Sequence, residues 1–415
     1  MTPALAYHLT AVRQAFPIAR HLIYVNHASI SPMPLPAVQA MQAAVARLGE
    51  DPMSFYTPAS GYGDLFVTFA QEMGALINAA SPHEIVGVTS TSAGLNAVAQ
   101  SIDWQPGDNI VLADVEFPSN VYPWMALASR GVETRLVHTP DGGASVEVFD
   151  AHVDARTRLI AVSAVQFFTG HRADLAALGT YCRERGILFA VDAIQAAGHM
   201  PIDVQAMHID ILASGGQKSL MGPPGQGFLY VRGDVAERLR PAQIGPLSVE
   251  DWQHWLKYDL TPREAALRFM MGTTNLPAMI GLIESVRFLR SVGVAHIDAW
   301  TRHLSQIIIA ELQARDYTVI TPSDPARLGP IVTFRVGDSA DAAVAEAHAR
   351  GLLAHLAAHG VRVTKHWDAH GLPHLRISTH CYNTEDEVRR VCALVEEYDE
   401  QSRSPAAGHR TTASH

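Results

Sequence analysis

The chain reads as an α/β protein: a large domain around a mostly parallel seven-stranded sheet, followed by a smaller α+β domain. Three observations predict this. Short apolar runs alternate with segments of helical period through the first two thirds, the pattern of a parallel sheet covered by helices on both faces. After about residue 275 that order gives way to longer helices interleaved with short strands. A length of 415 residues, 48% hydrophobic and 17% charged, is enough for two or three packed domains.

The strands expected in the large domain are 84–88, 109–113, 134–137, 159–165, 187–191, 209–213 and 228–231. Helical stretches at 93–102, 122–129 and 175–185 lie between them, bounded by Gly, Pro or Asp. The later part predicts a long helix, strands at 319–321, 331–336, 361–364 and 375–378, a helix over 342–359 and a final helix. Thr384 and Glu387 form a Thr-x-x-Glu capping box ahead of the apolar face Val388, Val391, Leu394 and Val395. The divisions expected are 1–20, packing on the small domain; 21–275, the large domain; 276–400, the small domain; and 401–415, a polar tail without apolar period and hence disordered.

Charge and cysteine usage exclude several classes of function. Lys and Arg number 31 against 41 Asp and Glu, so 31 − 41 = −10, which disfavours a grip on nucleic acid or an anionic membrane. No apolar run reaches the roughly 18 residues of a membrane helix, and residues 1–16 lack a signal-peptide layout. Cys182, Cys381 and Cys392 are too scattered for a disulfide framework. A reduced, cytoplasmic enzyme acting on a small molecule is the expectation.

The chemistry concentrates in two stretches. SGGQKSLMGPPGQG (214–227) sets Lys218 among five glycines and two prolines directly after an apolar run. Such a loop permits close backbone approach and can aim a lysine at a bound group, although a surface lysine in a turn fits equally. GILFAVDAIQAAG (186–198) delivers Asp192 at the carboxyl end of an apolar strand, with Gln195 just beyond. Ligands of open α/β sheets bind at such ends. A carboxylate emerging there is partly desolvated and needs a cationic partner, for which a pyridinium nitrogen would serve; the alternative is a helix N-cap. A lysine for an imine and a carboxylate for a ring nitrogen are the two groups that pyridoxal phosphate asks of a protein.

Further motifs accompany these: YVNHASISPMP (24–34), TSTSAGLNAV (89–98), EFPSNVYPW (116–124), SAVQFFTG (163–170), GTTN (272–275) and RISTHCYNTEDEV (376–388). In this order, and over nearly the whole chain, the sequence resembles fold-type I pyridoxal phosphate enzymes. The resemblance is to the class V aminotransferase group, which includes cysteine desulfurases, kynureninase-like enzymes and isopenicillin N epimerase-like proteins.

The resemblance implies that Lys218 bonds the cofactor, Asp192 partners its pyridinium and Gln195 donates to its phenolic oxygen. Gln166 falls near an Asn that relatives place on that same oxygen, with a structural polar residue as the alternative. Thr91, Ser92 and Ala93, at the start of a helix, are matched to the phosphate cradle, where an ordinary Ser N-cap also fits. Phe117 stands where desulfurases carry a ring-stacking histidine, and Gln217 where they carry a histidine before the lysine. Thr273 or Thr274 matches a threonine sent across a subunit interface to the partner's phosphate, which implies a homodimer with shared active sites. Arg376 aligns with the arginine that holds the substrate α-carboxylate, against the alternative of a surface arginine on an edge strand. Asn26 and His27 are placed over the same carboxylate, and His366, with Trp367, in a substrate loop.

His366, His370 and His374 repeat every four residues, but Gly371 and Pro373 interrupt any helix that would align them, so no metal site is expected. The reaction implied is an aminotransferase-type one on a small α-amino acid. A β-lyase or an epimerase on the same scaffold is the alternative, and a non-catalytic binding protein a more distant one. A persulfide-forming desulfurase is not expected, because the loop before Arg376, 364–371, reads TKHWDAHG and holds no cysteine.

Overall fold

The computed structural model describes residues 8–56, 64–337 and 339–403. Seven strands form the principal sheet: β2 Ile85–Val88, β3 Asn109–Ala113, β4 Glu133–Val137, β5 Thr157–Ser163, β6 Leu188–Asp192, β7 Ile211–Gly215 and β8 Gly227–Val231. They follow β1 Ile23–Tyr24, which pairs elsewhere. The spatial order is β2-β8-β7-β6-β5-β3-β4; β8 runs antiparallel to both neighbours and every other pairing is parallel.

The period of two along each strand splits the sheet's apolar side chains between two faces. Phe189 and Val191 of β6, with Val111 and Ala113 of β3, enter one core. Ala190, Ile110 and Leu112 enter the other. This double burial is why β6, β7 and β8 read as continuous apolar runs rather than as alternating ones.

A second core forms around β9 Ile331–Arg335, β11 Thr364–Trp367 and β12 Pro373–Ser378, an antiparallel sheet in the order β11-β12-β9. β10 Val361–Arg362 pairs in parallel with β1, so the N-terminal strand is stitched to this second unit. The final helix, Glu385–Arg403, opens on the capping box its sequence predicts: Glu387 N–H donates to Thr384 Oγ1 (3.1 Å) and Thr384 N–H to Glu387 Oε2 (3.0 Å).

Some elements differ from expectation. The segment expected as a strand at 319–321 makes only an isolated bridge, Val319 to Phe334, because Pro322 follows and removes a donor from any longer ladder. The stretch 122–129 breaks into a four-residue helix, Tyr122–Met125, and a 3-10 turn, Ala126–Arg130. Helix Leu276–Val292 sends Met279, Leu282, Ile283 and Val286 into a core of the large sheet, so the chain changes cores near Gly293 rather than at residue 276. Residues 401–403 continue the last helix; the rest of the tail expected to be disordered, 404–415, lies outside the described residues, as do 1–7. Of the N-terminal segment, Val12 and Phe16 pack with Met221, Leu289, Cys381 and Tyr382, which ties this segment to both units. No helix among the described residues is long and apolar enough to cross a membrane.

Candidate active site

The parallel strands β5, β6 and β7 end side by side, with Ser163 opposite Asp192 and Asp192 opposite Ala213. Asp192 is 2% exposed. Its Oδ1 accepts from the Ile194 N–H (2.9 Å), an N-cap-like local bond, but Oδ2 is buried with no partner. Burial pushes its pKa up to about 6, with the Lys218 charge opposing the shift.

Lys218 projects from the turn joining β7 to β8, and glycines make that turn possible. A Cβ on Gly216 would lie 2.6 Å from the Gln226 carbonyl, and one on Gly227 would lie 2.2 Å from that of Ser214. The lysine is pushed down to about 8, by burial first and by Arg376 as well, while Asp192 acts the other way. Its Nζ lies 5.0 Å from the centroid of the Phe117 ring. That ring stands edge-on to Phe167, and Phe167 to His366, forming an aromatic wall (5.0 and 5.7 Å between centroids).

Arg376, on β12, is 2% exposed although it is an arginine. Its Nη1 donates to the Phe167 carbonyl and its Nη2 to Ser29 Oγ, both at 2.8 Å, while Nε is buried without a partner. No carboxylate pairs with it among the described residues, and burial alone lowers its pKa to about 10. The site therefore holds a buried guanidinium with spare donors, a half-buried lysine and a carboxylate oxygen without a proton donor. Buried charge left this way is costly unless a ligand supplies the counter-charges.

The other expected residues divide into those near this centre and those engaged elsewhere. His366 lies on β11 in register with His374, and Thr364 with Arg376, so His366 and Arg376 share a face of the small sheet. Burial, together with the Arg376 and Lys218 charges, holds His366 down to about 4, so its imidazole is neutral. Asn26 bridges to Ser378 beside Arg376, and its Oδ1 is buried without a partner. Gln195 donates one amide proton to the Ala28 carbonyl (2.9 Å). Gln166 spends both ends of its amide on backbone, donating to the Val115 carbonyl and accepting from the Phe168 N–H, so in this arrangement it clamps the chain that carries Phe117 and Phe167.

His27 has no contact with Arg376 among those observed, and its Nε2 is buried without a partner. Its Nδ1 meets Ser31 Oγ (2.9 Å) and its ring packs against those of His380 and Tyr382. Helix Thr91–Ser101 is capped by Ser90, which accepts from the Ala93 N–H (3.1 Å). Thr91 Oγ1 accepts from the Gly215 N–H (2.9 Å), joining that helix to the lysine turn, and the Ser92 and Ser119 hydroxyls lie 2.8 Å apart. Gln217 is tied through its carbonyl to the Ser31 N–H (2.8 Å). Thr273 and Thr274 line a cavity of about 910 Å³ with Thr89, Ala93 and Asn96. No group of three metal-ligating side chains gathers among the described residues.

Two contributors escape the sequence reading. Ser29 is a donor and acceptor too ordinary to single out before the fold sets it on Arg376. Glu116, quoted only as part of a motif, is buried at the end of β5, where it accepts from the Ser163 N–H (2.8 Å) and from the Asn120 amide (3.1 Å). Burial raises it to about 7, with Asp192 adding repulsion, so a second carboxyl shares the floor of the site. An acidic residue in so apolar a neighbourhood was the available signal.

Comparison with known proteins agrees with this architecture. The family model described as Aminotransferase class-V matches residues 23–391. A probable cysteine desulfurase of Methanothermobacter thermautotrophicus is 30% identical over 396 residues, covering 93% of this chain and 97% of that protein. The apo structure of a cysteine desulfurase from Thermococcus onnurineus NA1 superposes with a TM-score of 0.81 at 26% identity, covering 94% of this chain and 98% of that one. A structure called C-DES, solved with glycine covalently linked to its PLP cofactor, shares the fold with a TM-score of 0.82 at 23% identity, covering 92% of this chain and 99% of that one. With the lysine turn, the strand-end carboxylate and the buried arginine in one place, the chain belongs to the aminotransferase class-V family of fold-type I pyridoxal phosphate enzymes.

Proposed function

We propose that the chain catalyses an aminotransferase-type reaction on a small α-amino acid, with pyridoxal phosphate carried on Lys218. The observation that carries this reading is the Asp192 Oδ2, a buried oxygen without a partner beside a half-buried lysine of lowered pKa. A cationic ring nitrogen is the group that such an oxygen fits, and the cofactor supplies an electron sink for the carbanion formed at Cα. Arg376 binds the α-carboxylate through two parallel N–H groups, which fixes the angle of the Cα–H bond. The released amine of Lys218, held near neutrality by burial, takes the Cα proton and returns it at a neighbouring carbon. Phe117, the ring beside the Lys218 amine, has no acid–base capacity, so Lys218 would be the proton carrier when the cofactor is bound.

A β-elimination that cleaves a C–S bond is the second reading, supported by the relatives named cysteine desulfurases. It would proceed without a protein thiolate. Cys381 is buried and its thiol is pushed up by burial, which makes it a poor nucleophile.

The dimer belongs to the same proposal. Trp255, Leu256, Tyr258 and Leu260 are 76, 85, 83 and 71% exposed, an apolar stretch ahead of the segment of Thr273 and Thr274 that a second copy would cover. Three buried thiols without a disulfide suit a cytoplasmic setting.

Borohydride reduction and peptide mapping should find the cofactor on Lys218; a label on another lysine would overturn the assignment. Incubation with a panel of amino acids should then convert the cofactor to its amine form with release of a keto acid. Sulfide or persulfide would select the lyase reading, and a racemised product would select epimerisation. Mixing Lys218→Ala protein with a Thr273→Val, Thr274→Val protein should restore activity through hybrid dimers, and a fully active monomer would rule out shared sites.

A further inference from the structure

Behind the site lies a group of buried histidines that none of the steps above uses. His380 follows β12, the strand of Arg376, and His199 follows β6, the strand of Asp192; each is at most 4% exposed. Their rings stack with centroids 3.8 Å apart and planes at 32°, and His27 packs against His380 edge-on at 5.3 Å. Burial holds His199, His380 and His27 far down the pH scale, so the group is neutral.

The tautomers follow from the partners. The Cys381 N–H donates to His380 Nδ1 (2.8 Å), so the ring proton is on Nε2, which donates to the Ser219 carbonyl at 2.9 Å. Ser219 is the residue after Lys218. Its N–H and hydroxyl both donate to the Ile194 carbonyl (3.3 and 2.8 Å), and the Ile194 N–H donates to Asp192 Oδ1 (2.9 Å). His199 Nε2 donates to the Thr379 carbonyl at 3.0 Å, closing the link from β6 back to β12. A series of buried and part-buried hydrogen bonds thus runs from the end of the arginine strand through the lysine turn to the strand-end carboxylate. Gly198 admits it: at φ +82° a Cβ there would press to 3.2 Å from the Ser219 carbonyl.

We propose that His380 is a positioning residue that holds the Lys218 turn and Asp192 at a set spacing from Arg376. It touches neither substrate nor cofactor. It acts by coupling the group that binds the α-carboxylate to the groups that hold and deprotonate the rest of the substrate, in two units of the chain with separate cores. The proposal rests on the reading of Lys218 and Arg376 given above. A parent protein without cofactor on Lys218 would defeat that reading, whereas the variants below address His380 alone.

The experiment compares His380→Leu, His380→Asn and His380→Gln holoenzymes. Glutamine can carry an amide N–H to the position of Nε2, whereas asparagine is too short and leucine has no donor. Expected for leucine and asparagine are a KM for the amino acid raised about tenfold or more, and a shifted pH midpoint for the visible absorbance of the lysine-held cofactor. Glutamine should restore both to within about threefold of the parent. In an Arg376→Lys background the asparagine change should add less than about threefold, because the spacing it protects no longer serves the carboxylate. Should the leucine variant not fold, the asparagine and glutamine pair carries the comparison. Parent-like KM and absorbance midpoint in the asparagine variant, with only a lowered melting temperature, would overturn the proposal. So would a glutamine variant no closer to the parent than asparagine.

Discussion

Charge is buried in two regions of this molecule, and it is treated in opposite ways. Along the seam between the two cores the partly buried arginines are paired with carboxylates. Arg172, after β5, pairs with Asp298 of helix Val294–Gln313 at 2.8 Å, Arg302 reaches the same carboxylate at 3.2 Å, and Arg13 meets Glu387 at 2.8 Å. At the carboxyl end of the sheet, Asp192 keeps an oxygen without a partner, and Arg376 meets only a carbonyl and a hydroxyl, with its Nε left over. The seam is complete as a protein; the sheet end is complete only with a ligand. A polypeptide that desolvates a charge without answering it loses stability, so such a place persists where the answering charge arrives from outside.

The contrast can be broken most severely at Lys218. Lys218→Ala should abolish turnover and leave no cofactor that borohydride can trap on that peptide, whereas Arg172→Ala should leave trapping intact; retained trapping in the lysine variant would sink the comparison. Asp192→Ala should come next. Removing one partner of a buried charge pair costs about 3–5 kcal/mol, a loss of roughly 10²–10⁴-fold in turnover of the holoenzyme.

Stability of the cofactor-free protein should separate the two regions by sign. Asp192 has a folded pKa of about 6, above its ordinary 3.8. The folded state therefore holds the proton more tightly. The stability that this proton contributes is full below the unfolded pKa and is lost as pH rises through the folded one. Asp192→Asn should then stabilise the cofactor-free protein above pH 6, by on the order of 2–3 kcal/mol, while leaving it unchanged or weaker below pH 4. Asp298→Asn should do the reverse near neutrality and cost about 1–3 kcal/mol, since it leaves Arg172 and Arg302 without their partner. Denaturant melts at pH 4 and pH 7 decide this, and two changes of the same sign at pH 7 would dissolve the distinction.

Smaller effects sharpen it further. Arg376→Lys keeps the charge but loses the paired N–H geometry, so kcat/KM for amino acids should fall about 10–100-fold, corresponding to ~1.4–2.8 kcal/mol. An equal loss for an amine lacking the carboxylate would argue that the arginine is structural. Cys381→Ser should leave turnover within about threefold of the parent, because a buried thiol of raised pKa is a poor nucleophile. A cysteine-dependent persulfide on Cys381, abolished by this change, would place a thiolate in the mechanism after all.

Read without its fold, the chain already declares its α/β plan, the strands of the large sheet to within two residues at most ends, the capping box at Thr384 and the pairing of Lys218 with Asp192. These are local properties: a period of two buried on both faces, a cap three residues from its partner, and glycines where two backbones approach. What only the tertiary structure decided depends on residues far apart in the chain. Ser29 reaches Arg376 across 347 positions, His380 reaches the Ser219 carbonyl across 161, and the rings of His27 and His380 pack together. Glu116 becomes a second acid of the site only because β5 ends beside β6, and the protonation of Asp192, Lys218 and His366 is set by how much water the assembled walls exclude. Hydrogen-bond partners and desolvation are properties of three-dimensional neighbourhoods, which no spacing along the chain encodes, whereas periodicity and capping need only the next few residues.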